Sequence, residues 1–93
     1  MNHWNHCIHI IISGKVQGVS FRSGVQQCAM KFGIYGWTGN REDGSVEIVA
    51  EGPEEKLVEL LQWCWRGSTT AKVENVEYVW EEPSNAFETF EIC

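Results

Sequence analysis

The sequence predicts an α+β fold, with two helices laid on one face of a single antiparallel sheet. Three observations carry this expectation: two apolar stripes of helical period, several stretches of strand character, and glycine or proline punctuation between them. The first strand is expected over His6 to Ser13, a β-branched run that Gly14 ends. The first helix follows over Phe21 to Phe32. Phe21, Val25, Cys28, Ala29 and Phe32 fall on one face of it, Ser20 is placed to cap its start, and Gly33 stands at its exit.

Two strands are then expected, over Ile34 to Asn40 and Ser45 to Ala50, joined by Arg41-Glu42-Asp43-Gly44 with the Asp-Gly chemistry of a hairpin turn. Pro53 opens the second helix, with Glu54 and Glu55 favourably placed in its first turn. Its buried stripe is expected to be Leu57, Val58, Leu61, Cys64 and Trp65, closed by Arg66-Gly67. Lys72 to Glu81 alternates as a fourth strand, with Val73, Val76 or Tyr78, and Trp80 as its apolar members. Phe87 to Ile92 alternates as a short last strand. The order β-α-β-β-α-β with an appended strand is the ferredoxin-like, split βαβ arrangement. In it the first and third strands are central neighbours and the second flanks them. Residues 1–93 are expected to form one domain, since the length suits a single core and no linker-like stretch interrupts it.

That frame hosts many activities, so function has to come from a site. Thirteen acidic residues against seven basic ones give a formal charge of -6, which argues against a nucleic acid as partner. Nothing in the sequence has the length or hydropathy of a membrane span, and the apolar run Ile8 to Ile12 is too short for a secretory signal. Cys7, Cys28, Cys64 and Cys93 form no C-x-x-C pair, which points to a cytoplasmic protein with mostly reduced thiols.

The run Gly14-Lys15-Val16-Gln17-Gly18-Val19-Ser20-Phe21-Arg22 is the most informative part of the chain. Arg22 falls in the first turn of a helix, where the dipole disfavours a cation by up to about 1 kcal/mol. The placement makes sense if an anion sits there as well. Two glycines four apart let the backbone turn its N–H groups inward as a nest for phosphate oxygens, and the guanidinium grips the same oxygens. The acidic balance selects a small anion, with Lys15, Arg22 and Arg41 as the available charges. Asn40, at the end of the second expected strand, is the second candidate: a carboxamide that approaches the loop and orients a water. As a bland alternative, the loop is a tight turn with an exposed arginine and Asn40 a turn former.

Several phosphoryl chemistries fail on inspection. A cysteine-phosphatase loop needs Arg six places after its Cys, where Ser13, Ile34 and Thr70 stand. Gly39 to Ser45 has P-loop glycine spacing, yet Ser45 and Val46 replace the Lys and Ser/Thr. No acidic cluster has metal-ligand spacing. His6 and His9 are poor partners for a zinc ion, because strand residues three apart point to opposite faces, and His3 falls in an expected loose tail.

The Gly14–Arg22 run resembles the first signature of the acylphosphatases. Gly36-Trp37-Thr38-Gly39-Asn40, continuing to Asp43-Gly44-Ser45-Val46-Glu47 and Gly52, is similar to the second. Trp63-Cys64, Arg66-Gly67, Ala71 to Val76 and Phe90-Glu91-Ile92 follow the family's usual course, so the resemblance covers essentially the whole chain. It implies hydrolysis of acyl phosphates to a carboxylate and inorganic phosphate, on a ferredoxin-like frame, with no metal, cofactor or covalent intermediate. It also implies a catalytic pair, Arg22 to hold the phosphoryl group and Asn40 to position the water. The backbone amides of Val16, Gln17, Gly18, Val19, Ser20 and Phe21 would bind the phosphate. The expected partners are a small acyl phosphate, and inorganic phosphate or sulfate as a product-like ligand, on a monomer. The alternative is a module that binds phosphate or acyl phosphate without turnover. Thr38, Gly39 and Ser68 depart from the family's pattern: glycine is expected to loosen the strand beside Asn40, and Ser68, where proline is common, to loosen the exit from the second helix.

Overall fold

The computed structural model describes Trp4 and residues 6–93. In chain order the elements are β1 (His6–Lys15), α1 (Phe21–Phe32), β2 (Tyr35–Asn40), β3 (Val46–Gly52), α2 (Glu54–Arg66), β4 (Lys72–Glu81) and β5 (Phe90–Ile92). The sheet order is β4-β1-β3-β2-β5, so β1 and β3 are the central neighbours. The pairings β1–β3, β1–β4 and β2–β3 are antiparallel, as expected. β5 differs. It runs parallel to β2, with Gly36 opposite Phe90, which makes the sheet mixed.

The parallel strand follows from the path of the chain. Residues 82–89, expected to be partly strand, cross the end of the sheet between β4 on one edge and β5 on the other. Glu51, 1% exposed, pins the crossing by accepting hydrogen bonds from the Ser84 N–H (2.7 Å), the Ser84 hydroxyl (3.0 Å) and the Asn85 N–H (2.9 Å). Three donors satisfy a carboxylate that would otherwise be costly to bury. Asn85 takes a left-handed conformation and exchanges hydrogen bonds with the backbone of Trp4.

The core lies between the sheet and the helices. Ile8, Ile10 and Ile12 of β1, with Val46, Ile48 and Ala50 of β3, are fully buried on the helix side. Each of these isoleucine and valine side chains contributes roughly 1.5–3 kcal/mol relative to an exposed one. α1 packs over β2 and β5, and α2 over β4, β1 and β3. The expected α1 stripe holds: Phe21, Val25, Cys28 and Ala29 are buried, and Phe32 packs at its margin. Gly33 closes the helix in the left-handed conformation, donating to the carbonyls of Ala29 and Met30.

The α2 stripe is rotated from the expected one. Leu57, Leu60 and Cys64 are buried, whereas Val58 and Trp65 are exposed. The cause is Trp63, whose ring docks edge-on against Phe21 (centroids 5.2 Å apart) and lies where a side chain on Gly24 would be, 2.6 Å from an added Cβ. That contact draws the Leu60–Trp63 flank toward α1. On β4, Val76 is buried and Val73 partly so, while Tyr78 and Trp80 are exposed along the sheet edge.

All four cysteines are free, and Cys7, Cys28 and Cys64 are buried. Burial raises all three thiols. Cys7, beside the carboxylates of Glu51 and Glu81 as well, is pushed up to about 11. An alkylating reagent at pH 8 is therefore expected to label Cys93 in the native protein and the other three only after denaturation, as read by mass spectrometry. Gly36 offers a second check. With φ +148 it lies so close to the Val49 carbonyl that a Cβ would overlap it. Gly36→Ala is expected to cost about 3 kcal/mol or more in chemical denaturation.

Candidate active site

The loop between β1 and α1 begins at a bulge. The β1–β4 register shifts at Ser13/Gly14, where Gly14 has φ +121 and its backbone lies against Lys72 and Glu74. An added Cβ would overlap the Lys72 carbonyl and stand 2.7 Å from the Glu74 nitrogen, so only glycine fits. Val16 and Phe21, each 1% exposed, fasten the two ends of the loop in the core. Gly18 (φ 72) and Ser20 (φ 61) are both left-handed. In a serine this backbone is strained, and such strain clusters at functional sites.

Ser20 is thus not the side-chain cap expected of it: its hydroxyl makes no capping bond, and its carbonyl accepts from the Gly24 N–H (3.1 Å) and the Ser23 hydroxyl (3.1 Å). The first-turn N–H groups of α1 keep no side-chain partner from Ser20. Ser68, expected to loosen the chain after α2, instead donates its hydroxyl to the Val19 carbonyl at 2.7 Å and braces the loop from outside.

Val16, Gly18, Ser20, Phe21 and Arg22 surround a cavity of about 150 Å³, with Ser23 and Ile92 completing it. Its size suits a phosphoryl group rather than a large ligand. Arg22 donates from Nη1 to the Cys93 carbonyl at 3.1 Å, which holds the guanidinium at the cavity mouth. Cys93 is fixed in turn by its N–H on the Thr38 carbonyl (2.8 Å), and the buried Thr38 hydroxyl donates to the Glu47 carbonyl (2.9 Å).

Gln17, Val19 and Asn40 do not line this cavity. Asn40 is exposed at the end of β2, opposite Val46, which is itself opposite Ile12 of β1. These three lie in one row across the sheet, at the end from which the loop leaves. Gly39 beside it is buried in a regular ladder opposite Glu47, without the loosening expected of it.

The link between the loop and Asn40 is the Gln17 side chain, a role the residue type alone does not announce. Its carboxamide donates to the carbonyls of Arg41 (2.8 Å) and Ser45 (2.9 Å), the two ends of the β2–β3 turn. That turn is further closed by Arg41 N–H to Ser45 (2.8 Å) and by Asp43, which accepts from the Ser45 N–H (2.9 Å). The Ser45 hydrogen bonds hold the Asp43 carboxyl below its ordinary value.

The histidines stand apart from this site. His6 reaches Glu54 (3.6 Å), and His9 lies between Glu47 (2.5 Å) and Glu81 (3.6 Å). Among the described residues no group of three or more metal-ligating side chains converges, and His3 lies outside them.

Comparison with known proteins agrees with this architecture. The acylphosphatase family model matches residues 8–92. An acylphosphatase of Pelotomaculum thermopropionicum is 45% identical over 85 residues, covering 91% of this chain and 92% of that one. One of Pyrobaculum aerophilum is likewise 45% identical over 85 residues, covering 90% of each. The crystal structure of acylphosphatase from Bacillus subtilis superposes with a TM-score of 0.91 at 39% identity, covering 95% of this chain and 98% of that one. This chain belongs to the acylphosphatase family, and its activity is hydrolysis of acyl phosphates. No helix among the described residues is long and apolar enough to cross a membrane.

Gln17→Ala removes the tie between loop and turn while leaving every loop amide in place. It is expected to lower kcat roughly tenfold, the scale of one lost positioning hydrogen bond pair, with little change in denaturation midpoint.

Proposed function

We propose that Arg22 and the loop amides of Val16, Gln17, Gly18, Val19, Ser20 and Phe21 hold the phosphoryl group, and that Asn40 positions the attacking water. The observation that carries the phosphate-holding half of this reading is the cavity of about 150 Å³ that brings Val16, Gly18, Ser20 and Phe21 together with Arg22, the only cation among the described residues that line it. A helix start, a nest of N–H groups and a guanidinium there act together on one anion.

The chemistry then needs little from side chains. The water oxygen adds to phosphorus as the bond from phosphorus to the acyl oxygen breaks, releasing a carboxylate and inorganic phosphate. A carboxylate is a good leaving group and needs no general acid. A phosphoryl oxygen takes the water's proton, so no side-chain base is required. Arg22 and the amides stabilise the charge on the phosphoryl oxygens, which is where catalysis of phosphoryl transfer chiefly lies. The reaction proceeds without a metal or cofactor, and inorganic phosphate or sulfate competes for the same cradle.

Residues 1–93 are proposed to act as one domain and as a monomer. The three buried thiols suit the cytoplasm.

Hydrolysis of benzoyl phosphate in the presence of a chelator tests the reading. Full turnover is expected, and loss of turnover with chelator would remove the metal-free mechanism. Arg22→Ala should lower kcat by about 10³ or more and weaken phosphate competition with it. Asn40→Ala should lower kcat by about 10² to 10³ while phosphate inhibition is retained. Equal loss of both in Asn40→Ala would contradict the water-positioning role.

A further inference from the structure

Glu47 stands where two lines of support for the site cross. Its backbone carbonyl accepts the Thr38 hydroxyl at 2.9 Å, and the Thr38 carbonyl accepts the Cys93 N–H, whose own carbonyl receives Arg22. Its side chain serves the other half. Oε2 lies 3.7 Å from Nη1 of Arg41, the residue that follows Asn40 and whose carbonyl takes the Gln17 carboxamide. The mechanism above uses neither the Glu47 carboxylate nor the Arg41 guanidinium.

The same oxygen has a second claimant. His9 Nε2 meets Glu47 Oε2 at 2.5 Å, diagonally across the β1–β3 pair and on the sheet face away from the helices. His9 and Arg41 thus share one carboxylate oxygen. Other charged groups face the pair from the elements around it. Glu81 of β4 lies 3.6 Å from His9 Nδ1, Glu77 lines one cavity with the ring, and Asp43 lies 3.8 Å from Arg41 Nε. Cys7, two places along β1, stays uncharged at neutral pH, its thiol being pushed up to about 11.

We propose that Glu47 is a positioning residue for the water-holding half of the site: its carboxylate steadies Arg41, and with it the adjoining Asn40, while His9 sets how firmly. This rests on the role proposed for Asn40. The direction follows from charge. A neutral imidazole donates to Glu47 and leaves the attraction between carboxylate and guanidinium in full. An imidazolium offsets the carboxylate's charge and repels Arg41 across it, so the turn is held less firmly at low pH. Arg41 and Glu47 side chains are 42% and 23% exposed, so solvent keeps the effect modest. Arg22 is spared, because its support runs through the Glu47 carbonyl and not the carboxylate.

The test follows kcat for benzoyl phosphate from about pH 5.5 to pH 8, the range in which imidazoles titrate, in wild type and in His9→Gln. Glutamine donates to Glu47 but never charges, and any titration of the substrate is common to both proteins. The ratio of His9→Gln to wild-type kcat should be near one at pH 8 and rise to about threefold at pH 5.5. At pH 8, Glu47→Gln should lower kcat about threefold with inhibition by inorganic phosphate retained. Adding it to Arg41→Ala should lower kcat no further, as expected of two groups that act as one. A ratio that stays flat with pH, additive losses in the double variant, or phosphate inhibition that weakens in step with kcat overturns the proposal. Asn40→Ala, run alongside, separates the two readings. If it loses turnover and phosphate inhibition equally, the water-positioning role falls and this proposal with it. If it keeps inhibition while the Glu47 and His9 variants fail, this proposal falls alone.

Discussion

The close approach of Gly14 to β4 is the constraint on which the rest of the site depends. β1 is a central strand, and its backbone at Gly14 presses against Lys72 and Glu74 so closely that no side chain fits. The bulge there shifts the β1–β4 register, and the pairing continues through Lys15 before the chain leaves the sheet. Everything downstream inherits that path. Val16 re-enters the core, the left-handed residues at 18 and 20 reverse the backbone, and Phe21 re-enters the core at the start of α1. Arg22 follows directly and lines the cradle. A local steric limit thus sets the position of a charge.

The site is assembled from two chain segments that each carry one half of it, and their relative placement has two supports. One is the sheet, since Ile12, Val46 and Asn40 share a row. The other is the Gln17 carboxamide on the β2–β3 turn. The sheet fixes level and direction. The carboxamide fixes the loop's distance from the turn. Arg22 is oriented separately, through Cys93 and the buried Thr38. Little of this support comes from charge pairs, which suits the anion-holding role proposed for Arg22.

Much of this was legible in the sequence, and what was not has physical causes. The α1 stripe was readable because five apolar residues fall on one face with no competing choice. The α2 stripe was not, because Val58, Leu60, Leu61, Trp63 and Trp65 offer two flanks. The choice was made by a ring from α2 meeting a glycine in α1, a tertiary contact that periodicity does not contain. Arg22 announced itself by standing against the helix dipole, and Asn40 by ending a strand. Gln17 gave no such signal, since a glutamine in a loop has many bland uses and its partners are carbonyls 24 and 28 residues away. Ser20 had the right type for a cap, but a left-handed backbone turned the expectation aside. The direction of β5 depended on where the crossing is pinned, and the pin is a buried glutamate on a different strand.

The separation of Gln17 from the turn it holds has a consequence for how the protein reaches its working state. The backbone of the cradle runs through consecutive residues, Gly14 to Arg22, but Ile92 completes its wall and Ser68 and Cys93 fasten it from far along the chain. The tie of the loop to the β2–β3 turn beside Asn40 is also long-range, closing only once β1 and β3 have found each other in register. Closure of distant contacts is the slow part of assembling such a topology. A chain with its helices formed but its central strands unpaired would therefore lack both the completed cradle and its tie to the turn. Recovery of turnover during refolding thus reports the completed sheet, whereas recovery of helical signal reports an earlier and catalytically silent stage.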